Sequence, residues 1–450
     1  MVRVDDQPVP AVALDVHDLP YWWDGHGQLV VALERLPQSA YVWDDDDADV
    51  TWDDTTPERV WDAPFVGSGF TDVWCDLVQL ELVTGEPDQD ESYRTPYARL
   101  VVRDPGDGRY RARTVDGKLV YWAVGRRLAV WWHDETGTDH WLFSGQIATW
   151  RDELLTPDVT IEAYGSLGTL AQPLGRDWTA GVAGQLLAPR VTAIMTAGQY
   201  TGPVRSDLGD VTLRVPVASD TPPLDELRRA ARSDGGIVYA DADDTVVVRD
   251  RRWRGGRTDQ TTIPTFTANL CDLDPTAVVA WDVTSADLDV RLASVVSLAN
   301  DATPPLVATA TNAGVPGGLI YSHPTPDLWT TQAEGNALAA FIAANRADAR
   351  LALGNAGVYL HDIRFDYWHQ SLERRLGDRI RFVHEDRFAD PDDLTVYDVT
   401  LVVTTIRHAI TRDTWTVALA TTPAVAYTLV ELWDQTLLTW DDANPLAVWR

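Results

Sequence analysis

Two stretches decide how this 450-residue chain is read: GRRLAVWWHDE, Gly125 to Glu135, and GDRIRFVHED, Gly377 to Asp386. Each opens on a glycine, carries Arg two residues later, alternates apolar and polar positions as a half-buried strand does, and closes on His and acids. A long strand, a polar turn and a closing strand follow each. The first continuation is LFSGQIATWRDELLTPDVTIEAYGS and the second YDVTLVVTTIRHAITRDTWTVALATT. The spacing from Gly125 to Ile161 is close to that from Gly377 to Val417. The repeat reads as a duplicated β-barrel; the alternative is that barrel strands resemble one another by chance.

Around this repeat the pattern gives strands over Val73–Val83, Tyr97–Arg103, Leu119–Trp132, Trp141–Trp150 and Val159–Gly165, with Asp107-Gly108 and Asp116-Gly117 as hairpin turns. A helix is predicted over Ala180–Leu187, ending before Pro189. Another runs from Pro223 to about Arg232, with Thr221 as cap and Leu224, Leu227, Ala230 and Ala231 on one face. Ser233-Asp234-Gly235-Gly236 ends it, and Ile237–Ala240 then pairs with Thr245–Arg249. Thr331 and Glu334 form a capping box before Ala333, Ala337, Leu338, Phe341 and Ile342. Strands follow at Gly357–Trp368, Arg379–His384, Thr395–Arg407 and Thr414–Ala420.

The fold class is therefore α+β, mainly β: two barrel-like β lobes, an intervening helix-hairpin region, and extended Trp/Asp-rich terminal arms. The boundaries fall at 1–70 (acidic, Trp-rich arm), 71–174 (first lobe), 175–265 (helix plus hairpin), 266–425 (second lobe with one helix) and 426–450 (C-terminal arm). In the first arm Trp43, Trp52 and Trp61 recur nine residues apart, each followed by Asp; Trp433, Trp440 and Trp449 mark the last. Such a tract can lay its rings into pockets of a neighbour while the carboxylates stay hydrated, or fold back on its own core. Against the acidic background, RDRRWRGGR (Arg249 to Arg257) is basic. Arg251, Arg252, Trp253 and Arg254 within it are candidates for contact with an acidic neighbour or with DNA passing through a lumen; the alternative is pairing with the chain's own acids.

Composition narrows the function. Lys and Arg number 37 against 68 Asp and Glu, a net charge of −31, which repels nucleic-acid phosphate and anionic lipid. No 18-residue apolar run is present and no secretory leader is read, so synthesis in a bacterial cytoplasm is expected. Cys75 and Cys271 have no metal-type spacing. Twenty Trp against two Met suits large interfaces, and sugar-binding surfaces too.

No HExxH, GxSxG or P-loop occurs, and VGSGF at Val66–Phe70 lacks a following helix. His133 and His384 occupy matching places in the two copies, which favours a structural role at a strand end; His361 and His369 flank a strand-like segment. The acid runs read as solvated faces, with calcium binding by Asp44–Asp49 an open alternative. No catalytic residue, cofactor or metal is expected.

FSGQIATW with VTIEAYGSLGTLA, then LDELRRAARSDGGIVYADADDTVVVRDR, then TTQAEGNALAAFIAANRADAR with LGDRIRF and IRHAITRDTWTVALATTP, together resemble the tail-hub minor tail proteins of siphophages infecting actinobacteria. They are distantly similar to the N-terminal part of tail-associated proteins and to baseplate hubs of contractile tails. The resemblance spans most of residues 75–423. It implies a virion structural protein of the tail tip and no enzymatic activity. It implies a ring, as a homotrimer whose paired barrels meet a six-fold tube. It also implies contacts with the ring protein above, the tape-measure C-terminus, and tip or fibre proteins below. The rivals are a glycan-binding adhesin, with Trp faces lining an open groove, and a cell-wall hydrolase, with convergent acids or a metal-bound His in a cleft.

Overall fold

The computed structural model describes residues 28–34 and most of 70–423. Residues 1–27, 35–69 and 424–450 lie outside the description, as do shorter stretches such as 86–92, 269–279 and 360–371. In chain order the first part holds β1 (Gln28–Glu34), β2 (Phe70–Asp72), β3 (Leu77–Thr84), β4 (Tyr97–Arg103), a short hairpin of β5 (Thr114–Val115) and β6 (Lys118–Leu119), β7 (Arg127–His133), β8 (Asp139–Asp152) and β9 (Asp158–Tyr164). The middle holds α1 (Leu167–Leu170), α2 (Leu187–Ala197), β10 (Val204–Ser206), α3 (Pro223–Ser233), β11 (Ile237–Ala240) and β12 (Val246–Arg249). Then come β13 (Thr265–Ala268), β14 (Ala280–Trp281), β15 (Leu288–Asp289), β16 (Val295–Ala299), β17 (Val307–Thr311), β18 (Ile320–Tyr321) and α4 (Gln332–Asn345). The last part is β19 (Arg350–Leu351), β20 (Ala356–Tyr359), β21 (Arg379–Glu385), β22 (Val396–Thr411) and β23 (Trp415–Pro423).

The structure is mainly β with few helices, as the sequence pattern implies. The two copies of the repeat are not separate in space. β22 pairs with β3, and this contact fuses the strands of both copies into one sheet of 13 described strands, ordered β14-β20-β23-β22-β3-β4-β9-β8-β7-β1-β2, with β13 and β21 joined to it through β22. One core serves the whole sheet: Leu80, Leu100, Val130, Trp132 and Ile161 from the first part pack in the same cluster as Leu401, Val403, Trp415 and Val417 from the last.

A second core lies under α2, α3 and α4. The helix and strands around 295–345, which the pattern groups with the second lobe, bury Val296, Leu298, Trp329, Leu338 and Phe341 there, beside Leu224 and Leu227 of α3. The β11–β12 hairpin is the wall between the cores. Ile237, Tyr239 and Val247 face the sheet, while Val238, Ala240, Val246 and Val248 face the helices. The period of two puts successive side chains on opposite faces, and here both faces are dry.

Several local expectations shift. The helix expected over Ala180–Leu187 begins instead at Leu187 and runs to Ala197, with Pro189 inside its first turn. Proline is tolerated there because the N–H it lacks would have no helical partner. Pro222 rather than Thr221 caps α3, and the Thr221 carbonyl accepts from Trp178 Nε1 at 2.9 Å. The strand expected from Leu119 to Trp132 is broken by Gly125, at φ 90°. On α4 the buried side chains are Leu338, Ala339, Phe341 and Ala343, whereas Ala333 and Ala337 are exposed. The capping box does form: Glu334 Oε2 accepts from Thr331 N–H at 2.8 Å, and Glu334 N–H donates to Thr331 Oγ1 at 3.3 Å. Its other oxygen accepts from Thr212 N–H at 2.8 Å, tying α4 to the β10–α3 connection. Against some desolvation, these bonds hold the carboxyl at about 2.

The glycines that open the two repeat strands share a left-handed backbone, φ 90° at Gly125 and 86° at Gly377. A Cβ at Gly125 would meet no atom within 4 Å, so a substitution there costs backbone energy alone. Gly125→Ala is expected to lower stability by about 1–2 kcal/mol, read as a shift of the urea midpoint, with Gly125→Asn losing less.

Candidate assembly interface

The repeat holds in its hydrogen bonds. Gly125 N–H donates to Ile147 O at 2.7 Å and Ile147 N–H to Arg126 O at 2.7 Å. In the second copy Gly377 N–H donates to Val403 O at 2.8 Å and Val403 N–H to Asp378 O at 2.9 Å. Arg127 opposes Gln146 as Arg379 opposes Val402. A register shift at Ile147/Thr149 against β9 recurs at Val403/Thr405 against β23. Leu100 opposes Ile161 on the next rung out, as Ala356 opposes Leu419. Chance resemblance of strands does not reproduce a bulge and its flanking register at matched positions.

The proposed contact residues scatter. Trp43, Trp52, Trp61, Trp253, Arg254, Trp433, Trp440 and Trp449 lie outside the described residues, as do Cys75, Cys271 and Asp44–Asp49. Arg251 and Arg252 follow β12, and both meet the chain's own acids. Arg252 Nη2 donates to Asp210 Oδ1 and Oδ2 at 2.6 and 2.8 Å, and Arg251 Nη2 stands 3.8 Å from Asp234 Oδ1. Asp234 is fully buried, and burial pushes its carboxyl up to about 7 despite Arg251. Arg249 donates to Asp207 at 2.8 Å. The basic tract is thus knitted into the fold at these three positions, although Arg252 keeps 49% of its side chain exposed.

Among the described residues, several Trp go to the cores. Trp132, Trp329 and Trp415 are at most 1% exposed. Trp131 and Trp141 are half-buried, their rings 5.5 Å apart and tilted by 44°. They line an open cavity of about 760 Å³ with Arg127, Gln146, Tyr200 and Asp243.

The acids and histidines of the first repeat serve the turn. Asp134 Oδ1 accepts from the N–H groups of Thr136 and Thr138, both at 2.8 Å, and Oδ2 lies 2.8 Å from His140 Nε2. These bonds hold its carboxyl well below the usual range, against some desolvation. His133 Nδ1 meets Asp139 Oδ1 at 2.8 Å at the strand end. His384 pairs in β21 opposite Tyr397, and His361 and His369 lie outside the described residues. Among the described residues no group of three or more His, Cys, Asp or Glu could hold a metal ion.

No protein-family model matches the chain, and no curated protein matches it in sequence. Solved structures do. A tail protein from Neisseria meningitidis MC58 matches over 80% of this chain and 95% of its own, at 14% identity and a TM-score of 0.52. A 43 kDa tail protein of prophage MuSo2 from Shewanella oneidensis matches over 80% and 96%, at 13% identity and 0.46. A prophage tail protein from Listeria monocytogenes EGD-e matches over 82% and 98%, at 12% and 0.43. At such identities the likeness is one of fold: this chain shares the fold of the Neisseria tail protein along nearly the whole of that protein's length.

Proposed function

We propose that this chain is a structural component of a bacteriophage tail that assembles with copies of itself into a ring at the tail tip. The duplicated lobes carry the proposal. A trimer of a chain with two matched lobes presents six similar positions, which lets it close or extend a six-fold tube. The fold shared with a tail protein supports the same reading. Its neighbours would be the tube ring protein, the tape-measure C-terminus, and tip or fibre proteins. The Trp-Asp arms and the exposed face of Arg252 are the proposed contact elements. In this role interface burial does the work, without bond chemistry.

Sedimentation of the purified chain tests it. A trimer is expected at micromolar concentration, and chains of net charge −31 should assemble more fully as salt rises from 0.05 to about 0.5 M, because screening shortens the range of their repulsion from about 14 Å to about 4 Å. A monomer at every concentration and salt, together with absence from virions, overturns it.

A second reading has one observation in its favour. Trp131 and Trp141 on the wall of an open cavity, with Gln146 and Asp243 nearby, are residues that could stack on and hydrogen-bond a sugar. Quenching of Trp fluorescence by host cell-wall glycans, lost in Trp141→Ala, would favour it over a purely structural role.

A further inference from the structure

The open cavity of about 760 Å³ has β7 and β8 on one side and the β11–β12 turn on another. Trp131 and Trp141 oppose each other across the β7–β8 ladder and give it an aromatic wall. The turn supplies Asp243 and Asp244, and it is fixed in place. Ser166 N–H donates to Asp244 Oδ1 at 2.6 Å and Ser166 Oγ to Asp244 O at 3.3 Å. Asp244 holds φ at 71°, a backbone uncommon outside glycine. Asp243 is exposed, and its Oδ1 accepts from Thr245 N–H at 3.0 Å. With Asp139, which meets His133, three carboxylates line the cavity, where Arg127 is the one basic residue among the described lining.

Carboxylates beside aromatic rings suit an organic cation. An ammonium group draws on ring faces within about 6 Å and on the carboxylates at once. Burial pushes Asp244 up to about 6, with the Asp243 charge adding to the shift and Arg127 opposing it, so a further cation there would relieve a cost already present. A sugar ring stacks on a flat aromatic face, whereas these two rings are tilted by 44° and form a corner. Charge also points to the source. A chain of net charge −31 attracts basic partners, and Lys118 is its single lysine. Lysine brings a compact charge that fits a corner, while the planar fork of arginine seeks paired oxygens in one plane.

We propose that this cavity receives a lysine side chain of a neighbouring tail protein, its ammonium group lying between the Trp131–Trp141 corner and the Asp243–Asp244 turn. The proposal rests on the structural tail reading and deepens it by naming the chemistry of one partner.

Calorimetric titration of the full chain in about 0.15 M salt tests it. The probes are the peptide acetyl-Gly-Lys-Gly-amide, the same peptide acetylated on its side-chain amine, and the tetramer of N-acetylglucosamine. Saturable binding of the lysine peptide is expected, about tenfold weaker in Trp141→Ala and in Asp243→Asn, and absent for the acetylated peptide. Equal binding by the parent and both variants marks attraction to net charge alone and overturns the proposal. Preference for the sugar, lost in Trp141→Ala, overturns it too. If Trp141→Ala does not fold, Asp243→Asn decides, because that side chain is exposed. In assembled tails, carbodiimide coupling of Asp243 or Asp244 to a lysine of another protein supports the contact, and coupling only to Lys118 of a second copy overturns it. A parent that forms rings yet does not hold the peptide overturns the cavity's role and leaves the ring reading standing. A monomeric parent that binds it overturns the ring and leaves the cavity's role standing.

Discussion

Asp327→Ala is expected to lower stability by about 3–5 kcal/mol, among the largest losses for one side chain in this protein. Asp327 is fully buried where α3 meets the segment that leads from β18 into α4. Its carboxylate lies 2.8 and 2.9 Å from His323 Nδ1, 3.4 Å from Arg232 Nε and 3.4 Å from Trp329 Nε1. Removing it takes the acceptor from Arg232 Nε and Trp329 Nε1 at a fully buried position, although Arg232 Nη2 keeps the Thr325 carbonyl and hydroxyl, so the loss is mainly the desolvation of orphaned donors rather than the worth of one bond. Asp327→Asn keeps the shape and one acceptor and should lose roughly half as much. Urea titration followed by Trp fluorescence measures both, since Trp329 is 0% exposed and sits in the affected core. A loss below about 1 kcal/mol for the alanine variant would show that the cluster does not carry this load.

The second large effect depends on pH. His408 on β22 is buried, and burial lowers its pKa to about 4. Trp415 Nε1 donates to its Nδ1 at 3.3 Å, a geometry that requires the neutral ring. The unfolded chain takes up this proton near 6.5 and the folded chain only near 4, so the group's contribution is complete above pH 6.5. It is lost as pH falls to 4, by about 3 kcal/mol in all. Two carboxylates, the buried Asp234 and the half-buried Asp244, act in the opposite sense. Burial raises Asp234 to about 7 and Asp244 to about 6, so each adds stability as pH falls through those values toward 3.8. The parent's own pH profile is therefore a sum. The His408 share is isolated as the difference from His408→Gln, which retains a hydrogen-bond acceptor and does not titrate. That difference curve should slope between pH 6.5 and 4 and flatten outside; a flat difference would refute the assignment.

The sequence alone settled several features that depend on near neighbours. Thr331 and Glu334 specified a helix start because both partners lie within one turn. Ser233-Asp234-Gly235-Gly236 specified a stop, since Gly235 can take φ 75° and donate to Arg232 O at 2.8 Å. The two glycine-led strands were legible as a repeat because a glycine needed at positive φ and a period of two leave marks on every copy. Position 189 was misread because proline ends a helix or sits in its first turn according to what lies upstream.

What only the tertiary structure decided is which strands meet. Backbone ladders carry no residue-specific code, so nothing in LELVT or IRHAIT announces that Leu80 opposes Ile410 across more than 300 residues of chain. The same pairing turned two lobes into one sheet with one core. Burial then sorted the Trp residues: those that the packing of two cores enclosed became structural, a property of where the chain returns in space rather than of the residue type.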